Sequence, residues 1–94
     1  MKFPTRMSTR QRIRLVLSNL LHANLALKLA RREHTADPGA VTSLKHDMAK
    51  AAAEELRELA QSLVARFGTA KDRARLAALL DVKWFWLMSL SLPA

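Results

Sequence analysis

Apolar residues recur along the first third of the chain at three- and four-residue steps: Ile13, Val16, Leu17, Leu20, Ala23 and Leu27. That is the period of one face of an α-helix, and no Pro or Gly interrupts the run. Ser8 followed by Gln11 fits a capping box, in which the hydroxyl and the amide each satisfy a backbone N–H left open at a helix start. Pro4 lies upstream, where it does not disturb that start. A helix is expected over about residues 9–33.

The pattern then breaks at His34 to Ala40, which reads HTADPGA. Asp37-Pro38-Gly39 is a turn signal: Pro fixes φ, Gly permits a tight reversal, and Asp can cap the next helix. A connection this short makes the flanking helices antiparallel neighbours. The second helix is expected over about residues 41–67, with a buried face of Met48, Ala52, Leu56, Leu59, Leu63 and Phe67, and with Lys45 at the same azimuth near its start. Asp47, Glu54, Glu58 and Gln61 lie opposite, and Lys50 and Arg57 are placed to pair with Asp47 and Glu54. The run Ala51-Ala52-Ala53 permits close approach of a neighbouring backbone. Gly68 suits the residue after a helix end. Thr69 can cap a third helix whose first turn holds Asp72, favourable to the helix dipole.

That third helix is expected over about residues 70–89, with Lys71, Arg73 and Arg75 in its first half. Its second half, LAALLDVKWFWLMSLSL, is apolar on nearly every azimuth, the mark of a helix buried on all sides or associated with a membrane. A transmembrane span needs about 20 apolar residues. Here the run after Lys83 reaches only about ten, and Asp81 and Lys83 break the longer one. Two other helices cannot cover Trp84, Phe85, Trp86, Leu87, Met88 and Leu90 together. Self-association through Trp84, Phe85, Trp86 and Met88 is therefore expected, most simply as a two-fold homodimer. The alternative is a terminal segment folded over the monomer's own core. No repeat or strand pattern appears, apart from a short apolar end that could be extended after Leu90. The fold class implied is all-α: an antiparallel helical hairpin plus a third C-terminal helix, assembling as a dimeric helical bundle, with residues 1–94 as one helical domain.

Composition supports this picture. Only two Gly and three Pro occur among 94 residues, and aromatics are 5% against 50% hydrophobic overall, so the core must be aliphatic. There is no Cys, which excludes disulfides, Fe–S clusters and thiolate zinc sites.

Charge changes the picture more. The chain carries 16 Lys and Arg against 8 Asp and Glu. Lys2, Arg6, Arg10, Arg12, Arg14, Lys28, Arg31 and Arg32 precede the first acid, Glu33, and the rest of the chain balances, so the whole formal +8 sits before residue 33. At about 100° per residue, Arg10, Arg14, Lys28 and Arg32 fall within roughly 40° of arc beside the apolar face, with Leu17, Leu21 and Leu25 between the two basic pairs. The stripe is about 33 Å long, enough to follow a phosphate backbone or span an acidic partner surface. A solvated basic flank on a core helix is the plain alternative. Against it stands the cost of unpaired like charges at helical spacing, which mixed signs would avoid. A pI near 11.2 points the same way, to nucleic acid, anionic lipid or an acidic protein.

Signatures of chemistry are absent. His22, His34 and His46 are the only histidines; His34 and His46 can meet near Asp37 or Asp47, but no strong metal-ligand spacing results. Glu54, Glu55 and Glu58 lie on a solvated face, and Ser18, Ser62, Ser89 and Ser91 form no Ser–His–carboxylate pattern. Gly39 and Gly68 make no phosphate-cradling loop. The chain reads as a non-enzyme with no catalytic residue, no cofactor and no metal. No zinc finger, RNP motif or helix-turn-helix is present either, so nucleic acid would be held through phosphates and helix shape, with Gln11, Asn19 and Asn24 available to base edges. The acid-free N-terminus superficially resembles an organelle presequence, but Asn19, His22, Asn24 and Lys28 interrupt its apolar stretch, and the expected localisation is cytoplasmic.

The stretch Leu63-Val64-Ala65-Arg66-Phe67-Gly68, closing a helix after an Ala- and Glu-rich arm, resembles the second-helix end of the plasmid Rop family, dimeric four-helix bundles that bind paired RNA loops. This chain departs from that family in its third helix, longer connection and basic first arm, and it is not assigned there. The resemblance implies only a similar use for the first helix.

Two functions fit. The first is a small nucleic-acid-binding or regulatory protein presenting Arg10, Arg12, Arg14, Lys28, Arg31 and Arg32 to the phosphates of DNA or RNA. The second is a protein-interaction module, an adaptor or inhibitor of phage or plasmid type, docking on an acidic protein surface through the basic helix and the apolar C-terminal helix with Trp84 and Trp86 as anchors. Peripheral membrane binding is a weaker third.

Overall fold

The computed structural model describes residues 6–80, which form three α-helices: α1 (Thr9–Ala36), α2 (Ala40–Phe67) and α3 (Ala70–Leu80). No strand occurs among the described residues, and each helix packs against the other two as a helical bundle. α1 runs three residues past the expected end at 33. The part of the third helix expected beyond residue 80 lies outside the described residues, as do Trp84, Phe85, Trp86 and Met88 and the self-association expected of them.

α1 starts where its sequence says it should. The Ser8 N–H donates to Gln11 Oε1 at 2.9 Å and the Gln11 N–H donates to Ser8 Oγ at 3.2 Å, closing the capping box. Its inward face is Ile13, Val16, Leu17 and Leu20, each 1% exposed, with Ala23 and Leu27 half-buried and Ala30 buried farther along. These side chains meet Ala60 and Val64 near the end of α2 and Leu76 of α3, with Leu56, Leu59, Leu63, Leu79 and Leu80 packed around them. The core is aliphatic, as the composition requires.

The connection at the other end of α1 works differently from expectation. The Asp37 side chain does not cap α2. Instead the Asp37 N–H closes α1 on the Glu33 carbonyl at 2.8 Å, and the Asp37 carbonyl accepts from Thr42 Oγ1 at 2.8 Å. Gly39 is the N-cap residue of α2, with extended backbone and no side chain to offer. Thr42 straps the turn, donating also toward the Gly39 carbonyl at 3.2 Å.

α2 departs furthest from the sequence reading. Its buried residues are Ala53, Ala60 and Val64, whereas Met48 is 64% and Phe67 55% exposed. Ala52 is exposed, and Leu56, Leu59 and Leu63 are half-buried. The helix turns its small residues inward, because a backbone neighbour comes closest where side chains are short. The local pairs Asp47–Lys50 and Glu54–Arg57 are not among the ion pairs of the described residues. Lys45 instead reaches Glu33 on α1 at 3.9 Å, and His46 reaches Asp47 at 3.5 Å.

Gly68 ends α2 without a left-handed conformation: its φ is −76°. Its need for glycine is spatial. A Cβ there would stand 2.5 Å from the Val64 carbonyl oxygen and 2.7 Å from Val64 Cγ1. Around Gly39, by contrast, a Cβ meets nothing within 4 Å. We expect Gly68→Ala to lower stability by about 1–3 kcal/mol through forced displacement of backbone. Gly39→Ser should raise it by about 0.5 kcal/mol, from a new N-cap acceptor and a stiffer unfolded chain. Urea denaturation of the two variants beside the native chain checks both signs.

Candidate functional site

The basic stripe of α1 divides once its neighbours are placed. Arg10 is not free. Its guanidinium makes a bidentate contact with Asp72 in the first turn of α3, with Nη1 donating to Oδ2 and Nη2 to Oδ1, the latter at 3.3 Å. Asp72 is 4% exposed, the one buried charged residue among the described residues. Its carboxylate also accepts the Thr69 N–H at 2.9 Å, while Thr69 Oγ1 accepts the Asp72 N–H at 3.3 Å, so the same side chain completes the cap of α3. Arg10 foremost, and the Thr69 N–H after it, hold the Asp72 carboxyl well below the ordinary carboxylate range. In return the hydrogen bond to Asp72 raises the Arg10 guanidinium.

Arg12 and Lys28 are half-buried, and each is engaged in an interaction of its own. Arg14, Arg31 and Arg32 are exposed and form no ion pair among the described residues. Arg14 and Arg32 are five helical turns apart, so they share one azimuth about 27 Å apart along α1. Arg14 lines a shallow hollow with Arg6, Met7, Gln11 and Leu15. Arg6 thus joins the candidate set; it precedes the Ser8 cap, where helical periodicity could not assign it a direction.

Between the cationic ends, the apolar middle of the stripe is not as expected. Leu17 is buried in the core, and the exposed ridge is Leu21 (37%), Leu25 (40%) and Leu29 (58%). Asn24, a candidate for base edges, donates through Nδ2 to the Leu79 carbonyl at 3.0 Å and ties α1 to the end of described α3. Asn19 is half-buried beside Ala52, Glu55 and Leu56.

His34 and His46 do come together, their rings stacked with centroids 6.3 Å apart. Thr42 Oγ1 spends its proton on carbonyls, so the His34 nitrogen at 3.0 Å is the donor, Nδ1–H to Thr42 Oγ1. Among the described residues no group of three or more His, Asp or Glu converges as a metal site. His22 is exposed elsewhere on α1. No described helix is long and apolar enough to cross a membrane. No protein-family model, curated protein or solved structure matches the chain.

Because the folded Asp72 is more acidic than an ordinary carboxyl of about 3.8, it stabilises the fold above that pH, and the contribution disappears as pH falls toward the lowered value. Asp72→Asn should therefore melt below the native chain at pH 7, and the gap should narrow steadily from pH 4 to pH 2. Thermal melts followed by circular dichroism across that range test it.

Proposed function

We propose that this is a small basic helical protein that binds the phosphate backbone of DNA or RNA, or acts as a regulator through such binding, using the exposed cations of α1. One observation carries the reading: a segment without a single acid through Arg32 keeps Arg14, Arg31 and Arg32 exposed and outside any ion pair of the described residues. Their separation along one rigid helix suits contacts to phosphates rather than to bases. Arg10, committed to Asp72, contributes little to such contacts; Arg12 and Lys28 lend field rather than direct hydrogen bonds.

In this reading α1 and α2 are the antiparallel arms of a hairpin. Supporting it, Glu33 and His34 at the end of α1 touch Lys45, Thr42 and His46 at the start of α2, while Ile13 to Leu20 share a core with Ala60 and Val64. The molecule is further read as a homodimer, which doubles the cationic surface.

A second reading rests on the ridge of Leu21, Leu25 and Leu29 between the cations. Apolar contact flanked by positive charge also suits an acidic protein surface, with the protein as an adaptor or inhibitor.

Fluorescence anisotropy with duplex DNA, single-stranded DNA and structured RNA separates the two. Phosphate binding predicts log affinity falling linearly with log salt, and Arg14→Gln or Arg32→Gln each reducing the slope by about one. Absence of binding to every one of these nucleic acids at low salt would overturn the first reading and leave the second.

A further inference from the structure

In the sequence the cations of α3 look balanced, since residues 33–94 hold as many acids as Lys and Arg. Folding breaks that balance. The Arg10–Asp72 contact sets the first turn of α3 beside the first turn of α1, and the core brings the end of α2 to the same end of the bundle. Residues 6–14 and 65–76 then hold eight Lys and Arg against one acid, Asp72, which is buried and already paired.

The course of α3 fixes where its cations lie. Asp72 meets Arg10 and the Leu79 carbonyl meets Asn24, so α3 runs parallel to α1. Around α1, the buried Ile13 and Leu20 lie about 60° and 80° to one side of Arg10, and Arg14 lies about 40° to the other. Around α3, Leu76 and Leu80 lie about 40° and 80° to the core side of Asp72, and Arg75 and Lys71 lie about 60° and 100° to the other. Arg14, Lys71 and Arg75 therefore border the outer mouth of the α1–α3 groove, with the Arg10–Asp72 pair as its floor. Arg14 is about 6 Å along α1 from Arg10, and Arg75 about 4.5 Å along α3 from Asp72, so the two stand level on facing edges. Arg73 takes no part: it lies on the core side and turns back to the Gly68 carbonyl at 3.1 Å.

Arg14, Lys71 and Arg75 are exposed, and none belongs to an ion pair of the described residues. Asp72 does not serve them, because Arg10 and the Thr69 N–H occupy its oxygens. Arg10 with Arg14, and Lys71 with Arg75, are like charges four residues apart, a spacing that repels itself on a helix. Packed helices stand about 8–10 Å apart, so an anion at the groove mouth relieves both repulsions at once. A phosphodiester strand supplies such anions in series.

We infer that the outer mouth of the α1–α3 groove is a phosphate-binding cleft, with Arg14 on one wall and Lys71 and Arg75 on the other, and that its ligand is the backbone of a nucleic acid. The inference rests on the phosphate-binding reading and moves its centre to the end of the bundle where α1 and α3 begin. Arg32, about 27 Å farther along α1, is then an outlying contact.

Fluorescence anisotropy of the full chain on duplex DNA and on structured RNA across a salt series tests it with Lys71→Gln, Arg75→Gln, the double variant and Lys50→Gln. Lys50 is an exposed cation in the first half of α2, so its loss removes the same charge from elsewhere. Lys71→Gln and Arg75→Gln should each lower the slope of log affinity against log salt by about one, and the double variant by about two. Lys50→Gln should leave the slope unchanged. All three positions are exposed, so helicity and melting temperature should hold. A native chain that binds neither nucleic acid at low salt would overturn the phosphate-binding reading and this cleft together. A slope that falls with Arg14→Gln and Arg32→Gln but with neither Lys71→Gln nor Arg75→Gln would overturn the cleft alone. An equal fall with Lys50→Gln would overturn it too, as the mark of diffuse charge. Phosphatidylserine vesicles bound through Lys71 and Arg75, with no nucleic acid bound, would overturn the strand as the ligand and give the cleft to lipid headgroups.

Discussion

The contact between Arg10 and Asp72 joins residues 62 positions apart and fastens the first turn of α1 to the first turn of α3. Both ends are helix N-termini, where backbone N–H groups concentrate positive potential. α1 has no acid in its own first turn and carries Arg10 there, an arrangement that repels itself. Asp72 supplies the missing negative charge from another helix. A carboxylate this buried must have its oxygens occupied, and Arg10 and the Thr69 N–H occupy them. One side chain thus sets the cap of α3, the seating of α3 on α1, and which arginine of the basic segment is committed to an ion pair.

That pairing sets the electrostatics of the remaining surface. The eight acids of the later chain are matched by its own eight Lys and Arg, so none is left over for the basic segment. Asp72 holds Arg10, while Glu33 turns to Lys45 and Asp47 to His46. Charges farther than about 8–10 Å are largely screened at physiological salt, so acids on the far face of α2 do little for Arg14 or Arg32. The net charge of the sequence survives folding as a local field on one helix.

Much of this was legible from local pattern. The period of Ile13 to Leu27 gives α1 and its inward face, Ser8 and Gln11 give its start, and Thr69 and Asp72 give the start of α3, because each signal lies within one or two turns. What failed depends on distance. Nothing near Arg10 in the sequence points to Asp72, and Asn24 gives no hint of Leu79. Gly68 reads as a helix end from its residue type, but the close Val64 carbonyl that demands glycine there is visible only in the structure. The inward face of α2 differs from the one its large residues predict, because two stripes compete. Periodicity weights large residues and selected Met48 to Phe67, whereas helix approach rewards small ones and selected Ala53 and Ala60.

This choice of the small stripe has a thermodynamic consequence. An alanine inside contributes less transfer free energy than a leucine, about 0.8 kcal/mol less per missing methylene, so a helix that buries Ala53 and Ala60 while half-exposing Leu56, Leu59 and Leu63 leaves apolar area unused. Close packing of α1 on α2 recovers part of that through dispersion. The rest stays on the outer face as exposed apolar surface, Met48 and Phe67 foremost. The arrangement seen follows when the inner stripe sets the distance between helices, with Leu56, Leu59 and Leu63 packed along its edge.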